Sequence, residues 1–551
     1  MTGDPSATRG RADPHLYLVL VAFALFYAPF LTKAFHIDDP LFLWTAEHVR
    51  RHPLDFYGFD VNWSGVVKPM SQITKNPPLA CYYLALASSL LGWSEPALHF
   101  AMLLPALGAI AGTYVLAREL CARPGEAALV AAFTPAFFVS STTLMCDVPM
   151  LCAFVWAVVL WRRGIRSGRH WPLAASSLVV SLAALLKYFG IALVPLLFAY
   201  AFFREKRVGG WVGWLLFPLA VLGGYQWLTG NLYGQGLATD AASYTLSRGG
   251  LALGPGKLLV GLVFAGGCYL PLLFHAPRLW RGRALLGGAV LALFMAGLLA
   301  WMGGIGGHAL IGDHGRRWSI ILHAAVFTVA GAGLLAVCIS DFVSARDEDA
   351  LLLALWVLGT LAFGSFFNWT VNARSLLPMA PAVGILLVRA ADRRGLVAAP
   401  AAWRASAFAL TAVAALLLGL ADLRLADAAR QAAGDLAAKL PRESVWFEGH
   451  WGFQYYAQQR GFRPVDLRAT LLRPGELVVL PRNSPLVHPP RSPAISLQGV
   501  LDYPLFAWAA TMDPKAGAGF YSDAWGPLPF AFGRASDEEY VVVSIHEPTL
   551  P

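Results

Sequence analysis

The feature that most limits what this chain can fold into is a succession of apolar runs, each near 20 residues long, separated by short charged connectors. About 20 apolar residues in a helix cross the ~30 Å hydrocarbon layer of a bilayer. In lipid every backbone N–H and C=O must be satisfied by the chain itself, so runs of this length are used as helices. Composition agrees. Of 551 residues, 57% are hydrophobic and only 14% charged, whereas a soluble domain is about half apolar and a quarter charged. The expected fold class is a polytopic α-helical membrane protein.

Thirteen runs can be set out as spans, at about 15–35, 96–117, 127–143, 148–161, 172–186, 188–203, 211–228, 257–274, 285–302, 319–343, 350–367, 376–388 and 405–421. A further apolar stretch, 79–91, is too short to cross. Charge decides its place. If it does not cross, the Arg clusters at 118–123, 162–169, 204–207, 278–283 and 389–394 all fall on one side. By the positive-inside rule that side is the cytoplasm, and Arg9 and Arg11 place the N-terminus there too. The 79–91 helix then lies at the outer surface of a cytoplasmic (inner) membrane.

An odd number of crossings leaves the tail, residues 422–551, on the outer (periplasmic or extracellular) face. The tail changes character. It is Pro-rich, mixes charges and carries short β-rich runs at 444–448, 476–480 and 540–545, with a helical stretch at 452–460 between the first two. That pattern reads as a small α/β domain. The expected division is therefore a transmembrane domain over 1–421, with an outer first loop at 36–95, and an α/β domain over 422–551.

The net charge of +9 sits in connectors rather than on one face, which argues against nucleic acid as a partner. All six cysteines lie in or beside apolar runs, so no disulfide framework is expected. The first apolar run lacks a small-residue cleavage site and reads as a retained span.

Ionisable residues at the outer ends of spans are the candidates for chemistry, because they are costly near lipid. Asp38 and Asp39 follow the first span, in His36-Ile37-Asp38-Asp39-Pro40. Neighbouring carboxylates serve as a general base, as ligands for a hard cation such as Mg or Mn, or as ion-pair partners; an acidic helix end facing water would look the same. Asp147 opens a later span in Cys146-Asp147-Val148-Pro149, where a helix N-cap is the plain alternative. Lys187 interrupts about 30 apolar residues, so it marks a turn between spans or meets an anion. Arg374 sits at the outer end of a span and offers a planar fork suited to phosphate; snorkelling to the interface would also place it there. His308 and His314 have a spacing compatible with metal, though plain loop polarity accounts for them better. Carboxylates and cations at one membrane depth suit a lipid phosphate that bears a sugar. Cations neutralise the phosphate as it leaves, and a carboxylate activates the acceptor and steadies an oxocarbenium-like carbon.

An acidic pair after span 1, then Lys75-Asn76-Pro77-Pro78-Leu79 with Tyr82-Tyr83, then Asp147-Val148-Pro149, then Leu185-Leu186-Lys187, then Ala373-Arg374 with Leu377-Pro378: in that order these motifs resemble the GT-C superfamily of integral-membrane glycosyltransferases. The resemblance covers roughly 15–390 and is nearest the branch of protein O-mannosyltransferases and lipid A aminoarabinose transferases. It implies inverting transfer of a sugar from a polyprenyl-phosphate carrier to a lipid, glycan or protein acceptor. It places Asp38, Asp39 and Asp147 at the catalytic centre, with Asp38 as base, and Lys75, Lys187 and Arg374 on the carrier phosphate. The pair here is Asp-Asp where Asp-Glu is common, and Pro40 follows it directly. Two other readings compete. A lipid or solute transporter would gather its ionisable groups near the midplane and show related halves; neither is seen. A non-catalytic assembly subunit would leave the acidic pair without use.

Overall fold

The computed structural model describes residues 13–248, 254–394, 401–441, 444–489 and 495–550. Arg9 and Arg11, which bear on the N-terminal orientation, lie outside them. Among the described residues ten helices are long and apolar enough to cross a membrane, and eleven if the bent pair Pro255–Cys268 and Pro271–Leu279 is one span.

These elements follow the expected runs in order, and local sequence explains where they depart. The run at 127–143 becomes two helices, Pro124–Ala132 and Pro135–Ser141, because Thr134 caps a new start and Pro135 fills its first turn. The run at 257–274 bends by 82° between its two halves. The run at 172–186 is the 17-residue helix His170–Leu186, shorter than a full span. The thirteen expected runs are thus all helical, but these last elements are not all long enough to count as crossings by themselves. The short helix Leu79–Leu91 is present with the expected bounds. Several spans stop at a left-handed glycine, Gly168, Gly234 and Gly303, whose φ values of 65°, 73° and 67° suit a residue without Cβ.

The bundle has two polar ends. At one, Arg162 grips Asp349 with two bonds of 2.9 Å and Glu119 with one of 2.7 Å. Arg166 also meets Asp349, Arg204 meets Glu348, and Arg389 and Arg393 share Asp341. These are the Arg-rich connectors that charge alone assigns to one side. Asp147 begins the helix Asp147–Ser167 that carries Arg162; fifteen residues of α-helix put the two about 22 Å apart. The candidate acids therefore occupy the opposite end.

The last helix does not stop near 421 but runs on to Lys439, leaving the bundle at the same end as the acids. Gly419 lets it approach closely, since a Cβ there would come within 2.8 Å of the Phe30 ring. Beyond it stands a five-stranded mixed sheet with strand order Ile495–Tyr503, Glu538–Ile545, Leu477–Pro481, Val445–Phe447, Arg463–Pro464. The first two pairings are antiparallel and the last two parallel, the helix Trp451–Gln459 connecting Val445–Phe447 to Arg463–Pro464. The three expected β-rich runs and the expected helix are all present, and Ile495–Tyr503 and the two-residue Arg463–Pro464 are additions. The tail docks on the segment after the first span: Gly452 packs so closely on the Phe35 carbonyl that a Cβ would lie 2.2 Å from it, and the Phe35 N–H donates to the Tyr456 hydroxyl at 2.8 Å.

Candidate active site

The chain leaves the first span through a tight turn. Ile37 is held at φ +50°, a costly conformation for a β-branched residue. It lets the His36 N–H reach back to Asp39 at 2.9 Å, and Pro40 then occupies the first turn of the helix Asp39–Arg51. Adjacent positions at a helix start point in different directions, so the acidic pair is split. Asp39 is fully buried, and its other oxygen accepts the Leu144 N–H at 2.8 Å. Burial raises its pKa to about 7, against the pull of those two N–H bonds and of Lys33. Asp38 instead faces the cavity, with an Oδ2 3.1 Å from Arg374 Nη2.

Arg374 lies in the one-turn helix Ala373–Leu376, capped by Asn372. Its other amino group is 3.9 Å from Asp147, and Asp147 pairs with Lys187 at 2.5 Å. Asp147 is the first residue of its helix but makes no cap bond; the carboxylate is turned to the cations instead. Lys187 is extended backbone between the helix His170–Leu186 and the short turn Tyr188–Ala192. It both separates two spans and meets an anion. Asp38, Arg374, Asp147 and Lys187, from four segments, thus form one continuous chain of charge.

That chain lines a cavity of about 830 Å³. One flank is apolar, built by Ile191, Val194, Pro195, Leu219, Phe363 and Phe367. Lys75 also lines it, held by Asp240 at 2.5 Å and lying 5.2 Å from the Tyr244 ring centroid. Asp39 does not line it; the two acids of the pair do not act as one unit.

The metal expectations turn on the donor set. Asp38 and Asp39 diverge, and Asp38 and Asp147 are already occupied by Arg374 and Lys187, so this donor set does not fit a divalent cation. His308 is bonded to the Asp523 carbonyl at 2.6 Å, and His314 sits in an exposed hairpin turn. Among the described residues no group of three or more His, Cys, Asp or Glu is arranged to hold a metal.

Three residues not anticipated from the sequence support the cavity, Lys33 and Asp422 behind it and Tyr521 at its wall. Lys33 and Asp422, both fully buried, pair at 2.6 Å. Lys33 also donates to the Thr142 hydroxyl and carbonyl, each at 3.1 Å. Asp422 accepts from Thr511 at 2.9 Å and from the Tyr521 hydroxyl at 2.7 Å. His36 is 3.9 Å from Asp422, but burial pushes its pKa down to about 4, so near pH 7 it is neutral and no ion pair forms. Tyr521, from the tail, lines the cavity with its ring 5.6 Å from the Arg374 guanidinium. An ionisable residue at the end of each of two apolar runs was a signal for Lys33 and Asp422; nothing local marks Tyr521.

Residues 75–223 match the family described as dolichyl-phosphate-mannose-protein mannosyltransferase, a stretch that includes Lys75, Asp147 and Lys187. A search among curated proteins by sequence gives no match. Among solved structures, ArnT from Cupriavidus metallidurans bound to undecaprenyl phosphate is 15% identical with a TM-score of 0.43, covering 85% of this chain and 93% of that one. The Archaeoglobus fulgidus oligosaccharyltransferase in its apo form is 14% identical with a TM-score of 0.48, over 82% of this chain and 64% of that one. Arabinosyltransferase EmbB from Mycobacterium smegmatis is 16% identical with a TM-score of 0.31, over 83% and 44%. At these scores they are likenesses of outline, and the residue roles rest on the geometry above. Over residues 75–223 the family match bears out the resemblance to the GT-C membrane glycosyltransferases read from the motifs.

Proposed function

We propose that the cavity takes a sugar carried on a polyprenyl phosphate and passes it, with inversion, to a lipid, glycan or protein acceptor on the outer face of the cytoplasmic membrane. The observation that carries this reading is the convergence of Asp38, Asp147, Lys187 and Arg374 on one cavity whose flank is apolar. The apolar flank suits the first isoprene units, and the cations suit the phosphate, whose charge grows as the sugar departs. Asp38 is the base that accepts the proton of the acceptor hydroxyl. Asp147 keeps Lys187 and Arg374 at the wall before the donor arrives. Because Arg374 is bonded to Asp38, an incoming phosphate competes for the guanidinium and frees the carboxylate for the acceptor. Lys75 stands nearby as a further phosphate contact. Asp39 holds the turn that aims Asp38, through its two backbone N–H bonds.

The test is transfer by purified protein in proteoliposomes, from radiolabelled polyprenyl-phosphate sugars to an envelope extract, joined to mass spectrometry of envelope glycans from a deletion strain. The expected result is label transfer with one donor and loss of the same sugar in the strain. Absence of transfer from every polyprenyl-phosphate sugar, with an unchanged glycan profile, would overturn the reading.

A further inference from the structure

We infer that the tail domain is a working part of the donor site, and that Tyr521 is a positioning residue for Arg374. The proposal rests on the reading of the cavity as the donor site.

The connector that delivers Arg374 is bound along its length by the tail. The Ala373 N–H donates to the Phe520 carbonyl at 2.9 Å, and the Asp523 N–H donates to the Val371 carbonyl at 2.9 Å. The Asp523 carboxylate accepts from the Val371 N–H at 3.1 Å and from the Thr370 hydroxyl. With the Thr370 and Ser522 hydroxyls 2.9 Å apart, five contacts join residues 520–523 to residues 370–373, immediately before the arginine. Tyr521, in the middle of that segment, lays its ring within reach of the guanidinium, at a distance where a cation is drawn to an aromatic face.

The ring is itself fixed. Its hydroxyl donates to Asp422, which is held by Lys33, and Lys33 is bonded to Thr142. The tether thus runs from the end of the first span, through the last helix, to the tail and so to Arg374. A buried charge pair adds little net stability against an apolar replacement of the same shape. What it supplies here is geometry: the Asp422 oxygens fix where the Tyr521 ring stands. Arg374 is gripped by Asp38 on one side and by the Tyr521 ring on another, so its fork is oriented before any anion binds. Preorganisation of this kind appears as affinity, since less freedom is lost on binding.

The experiment measures binding of undecaprenyl phosphate to the full-length detergent-solubilised protein, for wild type, Tyr521→Leu, Arg374→Ala and the double variant. Monodispersity and melting temperature are checked for each. Tyr521→Leu is expected to weaken binding by about 5- to 30-fold. In the Arg374→Ala background the same change is expected to cost nothing further, because its route to the phosphate is gone. Equal costs in both backgrounds, or no cost in either, would overturn the proposal. If Arg374→Ala itself leaves binding unchanged, it is the donor-site reading that fails. Tyr521→Phe keeps the volume and carries the test if the leucine variant does not fold: a loss of about 2- to 3-fold, vanishing without Arg374, is expected, and unchanged affinity would overturn the proposal.

Discussion

The two polar ends of the helix bundle use the same residue types for different ends. Arg162 and Asp147 share one helix, and Arg389 and Arg374 share one run of chain, each pair fifteen positions apart. At the Arg162 end, guanidinium groups and carboxylates meet directly and knit short connectors together. At the Asp147 end the charges stand along the wall of a cavity with an apolar flank. Charge pairing therefore does not mark function by itself. Charge beside open space is what separates the two ends, and the proposed function rests on it.

The difference can be broken first at Asp38. Asp38→Asn keeps the shape but removes the base, and transfer from the polyprenyl-phosphate sugar should fall by about 10²- to 10⁴-fold with the melting temperature unchanged. Activity near wild type would remove Asp38 from the chemistry. At the other end, Arg162→Ala removes two bonds to Asp349 and one to Glu119, leaving Arg166 on Asp349, and should destabilise the protein by ~1–3 kcal/mol, seen as earlier thermal unfolding, while the surviving folded fraction keeps its donor affinity. A selective loss of donor affinity there would erase the contrast between the ends. Arg374→Ala should weaken undecaprenyl phosphate binding by about 10- to 100-fold and acceptor binding much less.

The smallest effect expected lies in the tail. Burial raises the Glu538 carboxyl to about 7, against the bond from Asn483. A raised acid favours the folded state while protonated, so its contribution is full below about 4.5 and is lost as pH rises through about 7. Glu538→Gln should therefore flatten the fall in tail stability between pH 5 and 8, by on the order of 1–3 kcal/mol. Melting curves across that range decide it; an identical slope in variant and wild type would show that Glu538 does not govern it.

Much of this architecture was legible in the residues, for physical reasons. Apolar length gave the spans, and the shortness of 79–91 kept it off the list of crossings. Alternation and β-branched content gave the strands at 445, 477 and 538. The strand Ile495–Tyr503 escaped because a register shift between Leu497 and Gly499 breaks its alternation. The last helix outran its expected end because hydropathy reports contact with lipid, whereas the Ala-rich stretch up to Lys439 keeps its helical propensity after leaving it.

The site divided in the same way. Asp147, Lys187 and Arg374 were visible as isolated charges at span ends, and the structure brings them together with Asp38. The acidic pair looked like one unit, but neighbouring residues at a helix start diverge, and Asp39 went to the backbone. Lys33 and Asp422 lie 389 positions apart, and no local pattern announces such a pairing. Tyr521 is a tail residue whose part depends wholly on docking.

The most direct measurement is a cryo-EM structure of the full-length protein with undecaprenyl phosphate. The account predicts phosphate density bonded to Lys187 and Arg374, with the prenyl chain running along Ile191, Val194 and Phe363 and with Asp38 released from the guanidinium. A phosphate bound away from this cavity, with the Asp38–Arg374 pair intact, would contradict it.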